Sequence, residues 1–293
     1  MANVIGIVGL GIMGGAMARN LLAGGWRVVG FDTDAAKMAE LAAVGLEPCA
    51  SVAAMASQTR AILTSLPSAR AVLATAEAIA ASLTEGRVVV EASTLSLPDK
   101  LAFADVLTKA GHTPLDCPIS GTGAQAAARD LVIYASGDSD AIAALRPCWA
   151  AFTKAVHDVG AFGNGTRLKL VANLLVAIHN VATAEAMVLG MKAGLDPAQV
   201  AALIPGGAGN SRIFELRAPM MARDDYLPAT MKVDVWQKDM DVIGRFAAEL
   251  GVPTPTFSAT LPIYAAAMAQ GLGGSDTAAV CAVLEQMAAV VRS

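Results

Sequence analysis

Short apolar runs alternate with longer, alanine-rich amphipathic stretches from the start of the chain to about residue 162. A strand buried on both faces reads as a continuous apolar run, and the helix that crosses back supplies the amphipathic stretch, so this rhythm predicts β-α-β units. Strands are expected at Val4–Val8, Arg27–Phe31, Ala61–Ser65, Arg87–Glu91, Thr113–Asp116, Leu131–Ala135 and Ala155–Val159. After Gly163-Asn164-Gly165 the rhythm gives way to one helical segment running to about Lys192, stopped by Gly194 and Asp196-Pro197. At about 1.5 Å per residue such a helix spans roughly 40 Å, more than a small domain needs. Beyond it only helices are expected: Pro197–Ile204, Asn210–Ala222, Met231–Leu250, Thr254–Gln270 and Asp276–Arg292. The fold class is therefore α/β, with a doubly wound parallel sheet in residues 1–162. An all-α C-terminal domain for substrate and dimerisation follows in residues 163–293, beginning with the long interdomain helix.

Composition raises a membrane question and the pattern answers it. The chain is 55% hydrophobic with mean hydropathy +0.54. Its longest apolar segment, Leu168 to Leu195, is interrupted by Lys169, Asn173, His179, Asn180, Glu185 and Lys192. No uninterrupted run approaches the ~18 residues of a span, so no membrane partner is expected. The surplus is better explained by alanine and by surface buried against another subunit, and the long helix is expected to join a homodimer or homotetramer. A strand begins by Val4 with no visible secretion signal before it, and Cys49, Cys117, Cys148 and Cys281 form no Cys-x-x-Cys pair. Both features suit a reducing cytoplasm and argue against structural zinc; no metal is expected. A net charge of −4 without a basic run disfavours nucleic acid.

The first apolar run ends in Gly9-Leu10-Gly11-Ile12-Met13-Gly14, and the second ends at Asp32. A Gly-x-Gly-x-x-Gly turn between strand and helix, followed by an acid roughly 20 residues on, is the Rossmann-type dinucleotide fingerprint. Gly9 permits the tight turn, Gly11 admits a pyrophosphate, Gly14 lets the helix pack on the sheet, and Asp32 receives ribose hydroxyls. A 2′-phosphate beside Asp32 would be repelled, and Thr33 and Asp34 offer no neutralising cation, so NAD is expected rather than NADP. Ligands in such sheets lie beyond the carboxyl ends of the strands, which makes Leu66-Pro67, Ser93-Thr94 and Ser120-Gly121 candidate lining.

Lys169 and Asn173 are four apart on the long helix and share a face. A lysine near a helix N-terminus has its pKa depressed by the macrodipole and by burial, as a proton shuttle at neutral pH requires. The same position also suits a lysine whose head is solvated. In Asp116-Cys117-Pro118-Ile119-Ser120-Gly121-Thr122-Gly123, the amides around Ser120–Gly123 and the Ser120 and Thr122 hydroxyls suit a carboxylate, or form an ordinary turn. Lys238-Asp239 lies on a C-terminal helix where Asp234 with Lys238 and Asp241 with Arg245 have i,i+4 spacing. His112, His157 and His179 lack metal-ligand spacing, and neither a Gly-x-Ser-x-Gly elbow nor a Walker motif occurs.

On these motifs the chain resembles the β-hydroxyacid dehydrogenase family, which includes 3-hydroxyisobutyrate, tartronate semialdehyde and L-threonate dehydrogenases or reductases. The resemblance runs through Gly9–Gly14, Glu91-Ala92-Ser93-Thr94 with Pro98, Asp116 to Thr122, Gly163-Asn164-Gly165 with Lys169 and Asn173, and Lys238-Asp239. It implies that Lys169 is the general acid/base and that Asn173 orients a small hydroxy-acid substrate. It further implies that Ser120 and Gly121 hold the substrate carboxylate and that Lys238 closes the site near cofactor and substrate. The implied reaction oxidises an alcohol β to a carboxylate. The chain departs from the family at Thr122 and Arg129, where glycines are usual, and at Ala172, where asparagine is common. Thr122 adds bulk and a hydroxyl, pointing away from 3-hydroxyisobutyrate toward a more polar acid. Imine reductases share the architecture but usually lack the lysine, as do silent dinucleotide-binding modules.

Overall fold

The computed structural model describes residues 3–82 and 85–292. It comprises two compact units, one running through Lys169 and the other from Leu170 onward.

In the first unit, β1 (Val4–Val8), β2 (Arg27–Phe31), β3 (Glu47–Pro48), β4 (Ala61–Thr64), β5 (Val88–Glu91) and β6 (Thr113–Asp116) form a six-stranded parallel sheet. Its order is β3-β2-β1-β4-β5-β6. Consecutive residues of a strand point to opposite faces, so the four inner strands β2, β1, β4 and β5 feed two cores. Ile5, Ile7, Val28, Leu63 and Val90 join one apolar cluster, while Val8, Val29, Ile62 and Val89 join the other. The faces are covered by α1 (Ile12–Ala23), α2 (Ala35–Ala42), α3 (Val52–Ala56), α4 (Ala69–Ser82) and α5 (Leu97–Lys109). Strand order reverses beside β1, where β2 leaves on one side and β4 on the other, and this switch point opens a crevice at the strand ends.

The expected single sheet divides in two. The last strands leave it: β7 (Ile119–Ser120), β8 (Leu131–Ala135) and β9 (Thr153–Asp158) make a separate three-stranded sheet, with β7 antiparallel to β8. Pro118, which lacks an N–H, comes two residues after the end of β6, and the chain turns there before pairing again as β7. β3 and β7 were not anticipated because two residues carry no periodic signal. Short helices α6 (Gly123–Ala127), α7 (Ser139–Ala144) and α8 (Arg146–Phe152) complete this part.

The long helix α9 (Asn164–Lys192) carries the chain from the first unit into the second. By length and composition it is apolar enough to cross a membrane, with mean hydropathy 1.6 over its best window, of which 44% is buried within the protein. One of its buried polar side chains is used internally: the Asn180 amide donates to the Tyr264 hydroxyl (2.9 Å) and the Thr277 carbonyl (2.8 Å). Around it lie α10 (Pro197–Leu203), α11 (Arg212–Arg223), α12 (Val233–Glu249), α13 (Pro255–Ala269) and α14 (Val280–Met287). Ala177, Val181 and Met187 of α9 share a core with Trp236, Met240, Phe257 and Tyr264. The last helix is shorter than its pattern suggests. A 3-10 turn occupies Thr277–Ala279, Ala289 takes φ +47°, and Arg292 reaches back to the Met221 and Ala222 carbonyls at the end of α11.

Candidate active site

The glycine turn joins β1 to α1 at the switch point. Gly9 has φ +88°, and a Cβ there would lie 2.1 Å from the Ser65 carbonyl oxygen, so the turn requires glycine. A Cβ on Gly14 would lie 1.8 Å from the Gly9 oxygen, whereas one on Gly11 would meet nothing within 4 Å. The space in front of Gly11 is thus open. Most other helices of this unit are closed by a side chain, among them Asp34 on α2, Ser51 on α3, Ser96 on α5 and Thr122 on α6. α1 starts at Gly11 with no side-chain cap and no acid in its first turn. Its leading N–H groups, from Ile12, Met13 and Gly14, are left to an incoming anion, and these residues fit a dinucleotide pyrophosphate.

Asp32 is held at the end of β2. Its Oδ2 accepts the Leu10 N–H at 2.7 Å and its Oδ1 accepts the Asp34 N–H at 2.8 Å. An ionised carboxylate has about four acceptor sites, so capacity for ribose hydroxyls is left over. Lys37, on the first turn of α2, lies 3.6 Å from Asp34 and brings a cation that residues 33 and 34 alone did not reveal. On the other side of β1, the turns after β4 and β5 are tied together: the Leu66 N–H donates to Ser93 Oγ at 2.8 Å. Pro67 and the half-buried Thr94 belong to the same pair of turns.

Ser120 ends β7, and Gly121 and Thr122 lead from it into α6. Asn20 of α1 anchors α6 by donating to the Ala126 carbonyl (2.7 Å), and a Cβ on Gly123 would sit 2.7 Å from the Ile12 side chain. The loop therefore abuts the start of α1. Thr122 is committed to the helix itself. Its hydroxyl accepts the Gln125 N–H (3.4 Å) and its own N–H donates to Gln125 Oε1 (3.0 Å), a reciprocal capping box. Of the amides expected to receive a carboxylate, that of Thr122 is occupied by Gln125.

Lys169 closes the first unit, one turn into α9 and half-buried. Asn173, one turn further, belongs to the second unit, and there the structure joins it to α12. The Asn173 amide nitrogen donates to Asp239 Oδ2 (3.2 Å), and Lys238 Nζ lies 3.3 Å from Asp239 Oδ1. Asp239 thereby fixes which end of the Asn173 amide donates, and the Asn173 oxygen is the end left to accept. Sequence reasoning named Lys238 but gave Asp239 no role of its own, although the Lys-Asp pair was its signal. Arg245 and Asp241 form the expected i,i+4 pair at 2.6 Å on the exposed face. Among the described residues no three His, Cys, Asp or Glu side chains gather as a metal site.

Fold and glycine turn define a dinucleotide-binding protein. Comparison with known proteins narrows that class. Residues 4–160 match the family described as the NAD binding domain of 6-phosphogluconate dehydrogenase, and residues 163–284 match NAD-binding of NADP-dependent 3-hydroxyisobutyrate dehydrogenase. The chain is 34% identical to an L-threonate dehydrogenase of Cupriavidus necator, covering 96% of this chain and 95% of that protein. It is 32% identical to the 2-(hydroxymethyl)glutarate dehydrogenase of Eubacterium barkeri, covering 98% and 96%. A solved 3-hydroxyisobutyrate dehydrogenase from Salmonella typhimurium superposes with TM-score 0.84 at 31% identity, covering 96% of this chain and 99% of that one. The chain belongs to the β-hydroxyacid dehydrogenase family, whose members use NAD or NADP.

Proposed function

We propose that the protein is an NAD-dependent enzyme that oxidises a small, polar β-hydroxy acid, or reduces the matching semialdehyde or keto acid, with Lys169 as general acid/base. The observation that carries this reading is whole-length similarity to hydroxy-acid dehydrogenases in a chain that has Lys169 one turn before Asn173. Gly9–Gly14 and Asp32 hold NAD, with Leu66, Pro67, Ser93 and Thr94 lining its nicotinamide end. When bound, NAD supplies the hydride acceptor.

The rest falls to the chain. Ser120 and Gly121 hold the substrate carboxylate, and Lys238 closes over it. Neutral Lys169 takes the hydroxyl proton during oxidation, and protonated Lys169 returns it to the forming alkoxide during reduction. Asn173, its amide set by Asp239 and one turn from Lys169, orients the substrate beside that lysine and fixes the carbinol carbon for transfer. The L-threonate and 2-(hydroxymethyl)glutarate dehydrogenases among the relatives support a polar acid, whereas the 3-hydroxyisobutyrate dehydrogenases among them support that acid; Thr122, whose hydroxyl is taken up by Gln125, contributes its bulk.

A panel of L-threonate, 2-(hydroxymethyl)glutarate, glycerate and 3-hydroxyisobutyrate, offered with NAD and with NADP, tests this by formation of reduced nicotinamide. We expect turnover of a polar acid with NAD. Reduction of neither nucleotide by any acid would overturn the reading.

A further inference from the structure

Three charged side chains lie wholly buried in the first unit, outside every role given above. Glu91 and Asp116 end neighbouring strands and sit directly opposite each other in the β5–β6 register. Lys100, from α5, reaches across both: its ammonium pairs with Glu91 Oε2 and lies 3.2 Å from Asp116 Oδ1. All three side chains are 0% exposed. Burial works against the charge on Lys100, but the two carboxylates prevail and hold it above the ordinary lysine value.

The cluster does not end with its charges. Glu91 Oε1 accepts the Ser93 N–H (3.0 Å), and Ser93 Oγ accepts the Leu66 N–H (2.8 Å), so its first carboxylate governs the turns after β4 and β5. The second governs the start of α9. Asp116 accepts the Thr166 N–H at Oδ2 (2.7 Å) and the Thr166 hydroxyl at Oδ1 (2.8 Å). Ser136, bonded to Asp116, accepts the Gly165 N–H (3.0 Å). With Asn164 donating to Ala161 and Arg167 to Gly163, every leading N–H of α9 has a partner, two of them through Asp116 and Ser136. Lys169 stands one turn beyond Thr166.

A buried charge cluster is a poor way to gain stability, since apolar side chains of similar volume often serve as well or better. It is a good way to fix geometry, because each charge demands a defined set of partners. We propose that Lys100 is a positioning residue: through Glu91 it sets the Leu66 and Ser93 turns, and through Asp116 it sets the first turn of the helix bearing Lys169. The proposal rests on the reading of Lys169 as general acid/base and of those turns as nicotinamide lining. One ammonium then registers the proton-transfer group against the surface that orients the hydride acceptor.

Amide hydrogen exchange and steady-state kinetics on the full chain with NAD test this in three variants. Thr166→Val deletes only the hydroxyl bond to Asp116, Thr166→Ser restores it, and Lys100→Met removes the bridge. In Thr166→Val we expect faster exchange at Gly165 and Thr166, and also at Leu66 and Ser93, which Thr166 does not touch. We expect kcat to fall about tenfold, with KM for the fastest acid of the panel and Kd for NAD within about threefold, as for a small misplacement of reacting groups. Thr166→Ser should return both readouts to within about twofold of the parent. Lys100→Met should show the same pattern with a larger loss. Parent-like exchange at Leu66 and Ser93 in Thr166→Val overturns the coupling, whether or not Lys100→Met folds. Parent-like kcat in Thr166→Val with altered exchange overturns the positioning role. Exchange needs no substrate, so a parent chain that turns over no acid counts against the proposed function while the coupling is still measured.

Discussion

Asp32 shows how one side chain serves structure and selectivity together. It braces the glycine turn by accepting the Leu10 N–H and leaves lone pairs for ribose hydroxyls. Its charge, in this account, is what repels a 2′-phosphate. Asp32→Asn keeps an acceptor for Leu10 and removes the charge, so kcat/KM for NADP relative to NAD should rise about tenfold, equivalent to ~1.4 kcal/mol. Measured ratios for both nucleotides check this, and an unchanged ratio counts against Asp32 as the selector. His112 supplies a pH-dependent counterpart in the core. It is buried, its Nδ1 accepts the Arg87 N–H (3.1 Å), and burial with the Arg87 cation holds its pKa below 6.5. The unfolded chain therefore binds this proton more readily than the folded one. Stability from His112 is complete above pH 6.5 and is lost as pH falls through its lower folded value. Denaturant titrations between about pH 5 and 7.5 should show that loss in the parent and a flatter dependence in His112→Asn.

At the scale of elements, α6 explains a departure from the family pattern. Arg129, where the family resemblance leads one to expect glycine, has φ +58°. It follows the helix, with Arg129 N–H donating to Ala126 (3.3 Å) and Asp130 N–H to Gln125 (2.8 Å), the Schellman arrangement that favours glycine. Arg129→Gly should stabilise the protein by about 1 kcal/mol, read as a raised denaturation midpoint, because the left-handed conformation costs a side-chain-bearing residue about that much. The glycine turn, the acid at the end of β2 and the full span of α9 were legible because each is written in adjacent residues. The branching of the sheet after Pro118 was not, since β7 pairs with a strand beyond α6 and carries only two residues. Asp239 and Asp116 escaped for the same reason: their partners Asn173 and Thr166 lie 66 and 50 residues away. Periodicity finds faces, but it does not say which acid caps which helix.

Across the whole molecule, the exposed face of α9 carries Leu168, Leu175, Ala182 and Leu189 at every seventh position, with Val171 alongside. A seam of that spacing suits a second copy of the same helix. We infer a homodimer or homotetramer, and light scattering should return a multiple of the 29.7 kDa chain mass; a monomer at working concentration would contradict it. The claim on which the rest depends is chemical. Parent and Lys169→Ala should be compared with NAD on the fastest hydroxy acid, with NAD binding measured alongside. The account predicts that kcat falls about 10²- to 10⁴-fold, the range for loss of a positioned acid/base, while NAD binds as before. Comparable turnover by the two proteins would contradict it.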